Sequence, residues 1–332
     1  MLILIDAPLS DEQAGQIQKL SPRIKLVRVS PFGKPLPKDA LKDAEVIYTG
    51  AADFDPADAP LLRWVQTNTA ATNPQAGRAI LRSYIPIANV SGAYTVAVAE
   101  CAMGMLLALT RRITLGCRFQ AEHKWPDNTA PFAGDDLYDT TMGIVGYGSI
   151  GRQIARMADA MGMTILACKR NPDVRGDDAY LLPRTGDPEG NIPKAWFGQN
   201  QIAEMFRQTD VAVITLPHVP TTERMIGKNE LAALPKHAYV VNVGRGAVMD
   251  EIALIEALKS REIAGAALDV FVEEPLPPGS PLWDMQNVLV MPHIASWTKM
   301  QAHRAAGVLI ENLKHDLSGK PLVNLIDKKL MY

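Results

Sequence analysis

Residues 141–158 read TMGIVGYGSIGRQIARMA, an apolar run that leads into Gly146, Gly148 and Gly151 and then into helical spacing. In a strand-turn-helix unit the first glycine makes the tight turn, the second lets the backbone approach a pyrophosphate, and the third allows close packing. Amide groups at the helix N-terminus then hold the anion. Glycines also serve ordinary strand-to-helix turns, but this context favours a dinucleotide site. The predicted cofactor-binding residues are Gly146, Tyr147, Gly148, Ser149, Ile150 and Gly151.

The end of the next apolar run indicates which dinucleotide is bound. NAD-selective sites place a carboxylate about 20 residues after the glycines, where it binds the ribose 2′-hydroxyl. Here that run, 163–168, is followed by Lys169 and Arg170, and the nearest downstream carboxylate is Asp173. Two cations there suit a 2′-phosphate, so NADP(H) is favoured and NAD(H) stays open. The alternative interpretation is a pair of solvated charges at a strand end.

Short β-branched runs alternate with helix-period segments along the chain, which predicts an α/β fold with parallel strands. Five such runs precede residue 91 and six follow residue 140, so we expect a smaller and a larger sheet. A helix over 96–119 and a polar surface stretch, 125–139, separate them. Residues 176–200 are rich in proline and glycine and form a connection of unusual length. It could cover the adenosine end of the cofactor, contact a partner subunit, or be a solvated insertion.

Composition excludes several classes of function. Lys plus Arg total 34 and Asp plus Glu total 36 without blocks of like charge, which argues against nucleic-acid or acidic-membrane binding. The longest apolar stretch, 96–110, is shorter than the ~20 residues of a membrane span. The three cysteines, Cys101, Cys117 and Cys168, lack metal-site spacing, so we expect no metal and a cytoplasmic location.

Three further strand ends carry polar residues. Arg245 stands between Gly244 and Gly246 after an apolar run, where a guanidinium can bind a carboxylate in bidentate fashion; the alternative is a surface arginine in a flexible turn. Asp269 ends the next run and could accept from a nicotinamide amide or form a turn.

Glu273 and Glu274 follow that run, and either could orient a histidine. His293 comes directly after the last run, and His218 is the other histidine at a suitable edge. A lone histidine is more often structural, but arginine, glutamate and histidine arriving from neighbouring strand ends favour an acid/base site.

The chain resembles the D-isomer-specific 2-hydroxyacid dehydrogenases. The motifs that carry the resemblance are, in order, VAE at 98–100, GIVGYGSIG, LPHVPTTERMI from residue 216, NVGRG, ALDVFVEEPLP and PHIAS. The resemblance implies two Rossmann-like or flavodoxin-like parallel-sheet domains with the active site in the cleft between them. A substrate domain would comprise residues 1–99 plus 298–332 and a dinucleotide-binding domain residues 100–297. It also suggests a homodimer.

The resemblance implies roles for individual residues. Arg245 would bind the substrate carboxylate, His293 would be the acid/base, and Glu274, the glutamate before proline, would be its partner. Asp269 would contact the nicotinamide. The residues implied to line the cofactor cleft are Thr215, Leu216, Pro217, Val243, Gly244, Arg245 and His293.

One loop departs from the family pattern. Residues 65–75, VQTNTAATNPQ, stand where the family has a glycine-containing loop whose amides bind the substrate carboxylate. Ala71 replaces that glycine and Asn73 an aspartate. Ala70 and Ala71 are the expected backbone contacts, and the substrate itself stays open.

The function expected is reduction of a small 2-oxo acid, such as glyoxylate or hydroxypyruvate, to a D-2-hydroxy acid by hydride transfer from NAD(P)H. One alternative is a nucleotide-sensing binding protein on the same fold, without catalysis. Another is a dehydrogenase of this fold with a different donor, such as phosphite.

Overall fold

The computed structural model describes residues 1–29, 36–50, 54–70, 79–177 and 179–330. The chain folds into two compact units. The first unit comprises Met1–Tyr94, Ala179–Leu182 and Thr298–Tyr332, and the second comprises Thr95–Asp178 and Pro183–Trp297. No helix in the described ranges is long and apolar enough to cross a membrane. Within those same ranges no three His, Cys, Asp or Glu side chains are grouped to hold a metal ion.

The first unit is built on a five-stranded parallel sheet. Its strands are β1 (Leu2–Asp6), β2 (Lys25–Arg28), β3 (Val46–Thr49), β4 (Trp64–Thr67) and β5 (Ile87–Ala88), in the order β2-β1-β3-β4-β5. The helices between them are α1 (Asp11–Leu20), α2 (Lys38–Leu41) and α3 (Ala79–Arg82). Ser10 caps α1, because its hydroxyl accepts from the Gln13 amide at 3.2 Å. The strand order is that of flavodoxin-like folds.

The second unit begins with two helices in place of the single predicted one. They are α4 (Thr95–Thr110) and α5 (Ile113–Ala121), and the prediction of one helix over 96–119 was wrong. The helical conformation is interrupted at Arg112, whose φ of 56° lies in the left-handed region. Neither glycine nor proline marks this break, so local sequence gives no signal for it.

The sheet of the second unit has seven parallel strands. They are β6 (Thr141–Val145), β7 (Thr164–Cys168), β8 (Ala195–Phe197), β9 (Val211–Ile214), β10 (Tyr239–Asn242), β11 (Gly265–Leu268) and β12 (Val288–Val290). Its helices are α6 (Ser149–Ala160), α7 (Ile202–Phe206), α8 (Lys228–Ala233) and α9 (Glu251–Lys259). The strand order is β12-β11-β10-β9-β6-β7-β8. From β6 the chain first adds strands on one side, β7 and β8, and then crosses to the other side of β6 to add β9 and the rest. A reversal of this kind in an open α/β sheet is where ligands bind.

A final helix, α10 (Gln301–Leu317), returns to the first unit. Leu309 and Leu313 of α10 are fully buried against Ile3 and Ile17, which lie on β1 and α1. The two parallel-sheet α/β domains expected from the sequence are confirmed.

The long connection at 176–200 is more structured than its composition suggests. Its end forms strand β8, which pairs with β7 and which the sequence did not predict. Ala179–Leu182 pack with the first unit, where the Tyr180 amide donates to Asn324 Oδ1 at 3.0 Å. A Cβ on Gly92 would lie 1.8 Å from the Tyr180 carbonyl oxygen, so this close approach requires glycine.

Candidate active site

The glycine turn lies between β6 and α6, at the reversal point of the sheet. Gly146 has a φ of 103°, which other residues rarely adopt. A Cβ on Gly151 would stand 2.5 Å from the Gly146 carbonyl oxygen, so the third glycine lets the helix pack on the turn. A Cβ on Gly148 would meet no atom of the protein within 4 Å. The turn therefore leaves its backbone accessible at the second glycine, which fits an approaching pyrophosphate.

Residues after β9 lie against this turn, and Gly244, after β10, lies against them. The Thr215 hydroxyl donates to the Gly146 carbonyl at 2.6 Å, which joins the end of β9 to the glycine turn. A Cβ on Gly244 would lie 2.6 Å from the Leu216 carbonyl oxygen. The structure thus brings together Thr215, Leu216 and Gly244 at one edge of the sheet, with Pro217 and Val243 adjacent to them in the chain.

Arg245 follows β10 and is held by its own loop. Its Nη1 donates to the Gly244 carbonyl at 2.6 Å, and Asn242 Nδ2 donates to the Arg245 carbonyl at 3.2 Å. Asn242 Oδ1 also accepts from the Gly244 amide at 3.1 Å, so this buried asparagine shapes the loop that presents the arginine. Sequence reasoning missed Asn242, although a polar residue at the last position of a buried strand is a usable signal.

The guanidinium of Arg245 is largely withdrawn from water. Burial lowers its pKa, while the charges of Glu274 and Asp269 oppose that change. An arginine keeps its proton despite such a shift, because its ordinary pKa is above 12. Arg245 is therefore a permanently charged cation that is partly removed from solvent, which suits an anionic group on a ligand.

Glu274 and His293 form a close pair. Glu274 Oε2 lies 2.6 Å from His293 Nδ1, and Glu274 Oε1 accepts from the Phe271 amide at 2.9 Å. Because a carboxylate only accepts, this contact places a proton on Nδ1 and leaves Nε2 as the nitrogen that exchanges a proton with a ligand. The sequence left Glu273 and Glu274 open as the partner from strand-end position alone, and the structure pairs Glu274 with the histidine.

Asp269 directly follows β11 and is 1 % exposed. Its Oδ1 accepts from the Ile294 amide at 2.9 Å and its Oδ2 from the Ala295 amide at 3.0 Å. Burial raises its pKa, an effect that these two backbone amides oppose. Asp269 thus fixes the backbone directly after His293, a contact that its predicted role toward the nicotinamide did not include.

The two cations after β7 are placed differently. Lys169 Nζ donates to the carbonyls of Val174 and Gly176, at 2.8 and 3.3 Å. Burial, and then the charge of Arg152, lower the pKa of Lys169. Arg170 is exposed. The structure therefore uses Lys169 to hold the loop that follows it.

The remaining predicted residues lie elsewhere. Ala70 belongs to the first unit, where it packs partly buried near Val90 and Ala93, and Ala71 lies outside the described residues. The Tyr94 hydroxyl donates to the Asn68 carbonyl, two residues before Ala70. His218, the competing histidine, lies 3.9 Å from a carboxylate oxygen of Glu223.

Comparison with known proteins identifies the family that this chain resembles. Residues 103–295 match the model of the D-isomer specific 2-hydroxyacid dehydrogenase NAD-binding domain. A glyoxylate reductase of Thermofilum pendens is 34% identical over 295 residues, which are 88% of this chain and 78% of that protein. A glyoxylate reductase of Thermococcus gammatolerans is 32% identical over 321 residues, 92% of this chain and 90% of that protein.

A solved structure is similar over the whole chain. The D-isomer specific 2-hydroxyacid dehydrogenase of Xanthobacter autotrophicus Py2, crystallised with NADPH and MES, superposes with a TM-score of 0.80 at 27% identity. The match covers 100% of this chain and 99% of that one.

Proposed function

This chain belongs to the D-isomer specific 2-hydroxyacid dehydrogenase family and is an NAD(P)-dependent oxidoreductase, and on that premise we propose that it reduces glyoxylate or hydroxypyruvate with NADPH. The family and the reaction class expected from the sequence are confirmed. Support for these substrates comes from the similarity to glyoxylate reductases. The two alternatives, a binding protein without catalysis and a different donor, are not favoured by these relatives.

The observation that carries the proposal is the Glu274–His293 pair, 2.6 Å apart, in the same unit as the half-buried Arg245. All three residues follow parallel strands of one sheet, and the carboxyl ends of such strands share an edge. A fixed cation and an oriented imidazole are the two groups that reduction of a 2-oxo acid requires from the protein.

The proposed roles follow from these charges. The substrate carboxylate binds the Arg245 guanidinium, and the same cation stabilises negative charge that develops on the carbonyl oxygen. Nicotinamide held by the glycine turn and the residues after β9 and β10 would provide the hydride for C2 of the 2-oxo acid. His293 Nε2 gives its proton to the carbonyl oxygen, and Glu274 stabilises the imidazolium before that transfer. In the oxidation direction His293 accepts the same proton.

NADPH is the proposed cofactor because cations, and no carboxylate, directly follow β7. The open face at Gly148 and the first turn of α6 are proposed to hold the pyrophosphate. Arg170, exposed after β7, is the residue proposed to bind the 2′-phosphate. The similar Xanthobacter structure contains NADPH, which agrees with this preference.

Further parts of the proposal concern the rest of the molecule. Residues 1–99 with 298–332 would be the substrate domain, with Ala70 and Ala71 binding the substrate through their backbone, and residues 100–297 the dinucleotide domain. Support comes from the division of the chain into two sheet units. We also propose a homodimer in the cytoplasm, where the free thiols of Cys101, Cys117 and Cys168 would stay reduced.

Initial rates with purified protein test the proposal. A panel of 2-oxo acids that includes glyoxylate, hydroxypyruvate and pyruvate is measured with NADPH and NADH in parallel. We expect NADPH oxidation with glyoxylate or hydroxypyruvate at a higher kcat/KM than with NADH. Equal or better use of NADH would refute the cofactor preference, and no turnover with any 2-oxo acid would refute the activity.

A further inference from the structure

Arg152 directly follows the third glycine of the turn and is 0 % exposed. A buried guanidinium is costly unless its donors are paired. Its Nε donates to Asp177 Oδ2 at 3.2 Å, its Nη2 to the Arg175 carbonyl at 2.6 Å, and its Nη1 to the Asp187 carbonyl. All three partners lie in the connection between β7 and β8. The two parts of that connection that belong to the second unit, residues 171–177 and 183–192, are together called the insert.

Tyr147, between the first two glycines, is tied to the same stretch. Its hydroxyl donates to Asp187 Oδ2 at 2.9 Å, and its ring lies under the Arg152 guanidinium at 5.0 Å. Asp187 is 5 % exposed and also accepts from the amides of Asn191 and Ile192, at 3.0 and 3.2 Å. One carboxylate therefore fixes both the end of the insert and the aromatic ring of the glycine turn.

The start of the insert is held from β7. Lys169 donates to the carbonyls of Val174 and Gly176, on either side of the Arg175 carbonyl that Arg152 binds. A Cβ on Gly190 would lie 2.5 Å from that same Arg175 carbonyl oxygen. Two cations and a close backbone contact thus anchor the insert, which is inconsistent with a freely solvated loop.

We propose that the insert is a built part of the dinucleotide site, and that Arg152 is a positioning residue that sets cofactor affinity through it. Arg152 and Tyr147 flank the backbone that faces the pyrophosphate, so a paired network behind them holds that backbone in its binding conformation before the cofactor arrives. Preorganisation of this kind raises affinity by removing the cost of ordering on binding. The inference deepens the proposed function and rests on NADPH as the ligand.

Tyr147→Phe is the mildest test, because it removes one hydroxyl and keeps the ring. We expect KM for NADPH to rise about fivefold, the effect of one lost hydrogen bond. Arg152→Lys retains the charge but cannot reach three separate acceptors, and we expect a rise of roughly tenfold or more. In both variants kcat and KM for the 2-oxo acid should stay within twofold of the wild type. A merely structural role would instead lower the active fraction, and hence the apparent kcat, at unchanged KM.

Arg156→Lys is the matched control. Arg156 lies one turn further along α6, is exposed, and donates to the Gly186 carbonyl of the same insert at 3.2 Å. It touches no part of the glycine turn in the described contacts, so KM for NADPH should not change.

Direct titration separates this inference from the proposed function. Quenching of intrinsic tryptophan fluorescence by NADPH gives a Kd without turnover; Trp196 packs against Tyr147 with ring centroids 5.0 Å apart. If the wild type binds NADPH but reduces no 2-oxo acid, the proposed activity fails while the Kd values still test Arg152. If Tyr147→Phe and folded Arg152→Lys both keep the wild-type Kd, the inference is overturned. If Arg152→Lys does not fold, Tyr147→Phe decides alone.

Discussion

The backbones of Gly246 and Phe271 lie in direct contact. A Cβ on Gly246 would stand 1.9 Å from the Phe271 carbonyl carbon, a distance that atoms do not adopt. Arg245 immediately precedes Gly246 after β10. After β11, the Phe271 amide donates to Glu274. A single close approach therefore fixes the spacing between the cation and the pair that contains His293.

Gly246→Ala should disturb both strand ends at once. We expect a loss of stability of about 1–3 kcal/mol from overpacking, with most of the activity lost. Gly148→Ala should behave differently: it meets no protein atom, so Tm should stay near the wild-type value while KM for NADPH rises. Gly104→Ala, in open space on α4, is the control for alanine itself. Thermal melts and initial rates distinguish the three, and a stable, active Gly246→Ala protein would contradict the contact.

His293→Ala should remove the proton donor. We expect kcat to fall roughly 100- to 10,000-fold, the range for loss of a general acid. Glu274→Gln should reduce kcat less, because an amide oxygen still accepts from Nδ1 but carries no charge. His237→Ala is a matched control, since His237 Nε2 lies 2.6 Å from Asp210 Oδ1 at the opposite ends of the strands. An equal loss of activity in the His237 and His293 variants would count against the assignment.

Arg245→Lys should weaken substrate binding. An ammonium replaces the planar fork by a single point charge and reaches less far, so KM for the 2-oxo acid should rise about tenfold. KM for NADPH should change much less. Steady-state kinetics with each substrate varied in turn measure the difference. A change confined to KM for NADPH would show that Arg245 acts on the cofactor alone.

Arg170→Ser and Lys169→Met should differ in selectivity. Loss of a charge-assisted contact to the 2′-phosphate should raise KM for NADPH roughly tenfold or more in Arg170→Ser and leave KM for NADH nearly unchanged. Lys169→Met loosens the loop at Val174 and Gly176, so both cofactors should be affected alike. The ratio of kcat/KM for NADPH to kcat/KM for NADH, measured in each variant, distinguishes the two roles. An unchanged ratio in Arg170→Ser would exclude Arg170 as the phosphate ligand.

Alkaline pH should expose the contribution of Tyr239. Burial, with a hydrogen bond to Asp135, raises the pKa of Tyr239 from 10.0 to about 12. Because the folded pKa lies above the unfolded one, this stabilisation is complete below pH 10 and is lost as pH rises toward 12. Tyr239→Phe should melt lower than the wild type at pH 8 and lose less Tm between pH 10 and 12. Parallel Tm curves of the two proteins over that interval would contradict the linkage.

Periodicity was enough to predict most of the fold. Eleven of the twelve strands coincide with runs that the sequence shows, and most of these are continuously apolar because they are covered on both faces, whereas the edge strand β2 is largely exposed. Strand β8 escaped prediction since it has only three residues and follows a segment rich in proline and glycine. The break at Arg112, where φ is 56°, escaped because neither glycine nor proline marks it in the sequence.

The site residues also divide into those that local sequence indicates and those that only the fold reveals. Strand ends in a parallel sheet share an edge, so Arg245, His293 and a glutamate at 273 or 274 were accessible to reasoning from position and chemistry, whereas the choice of Glu274 rested on the family resemblance. Arg152 was not, because a charged residue on a helix is ordinarily solvated and only the fold reveals its partners in the insert. Long-range pairs of this kind have no signature in a single sequence.

The return of α10 to the first unit sets an order for folding during synthesis. Ile3 and Ile17 leave the ribosome early, but Leu309 and Leu313, which complete their core, are made about three hundred residues later. The second unit, by contrast, has all its strands once residue 297 has emerged. The unit whose strands are translated first is therefore the unit whose core is completed last.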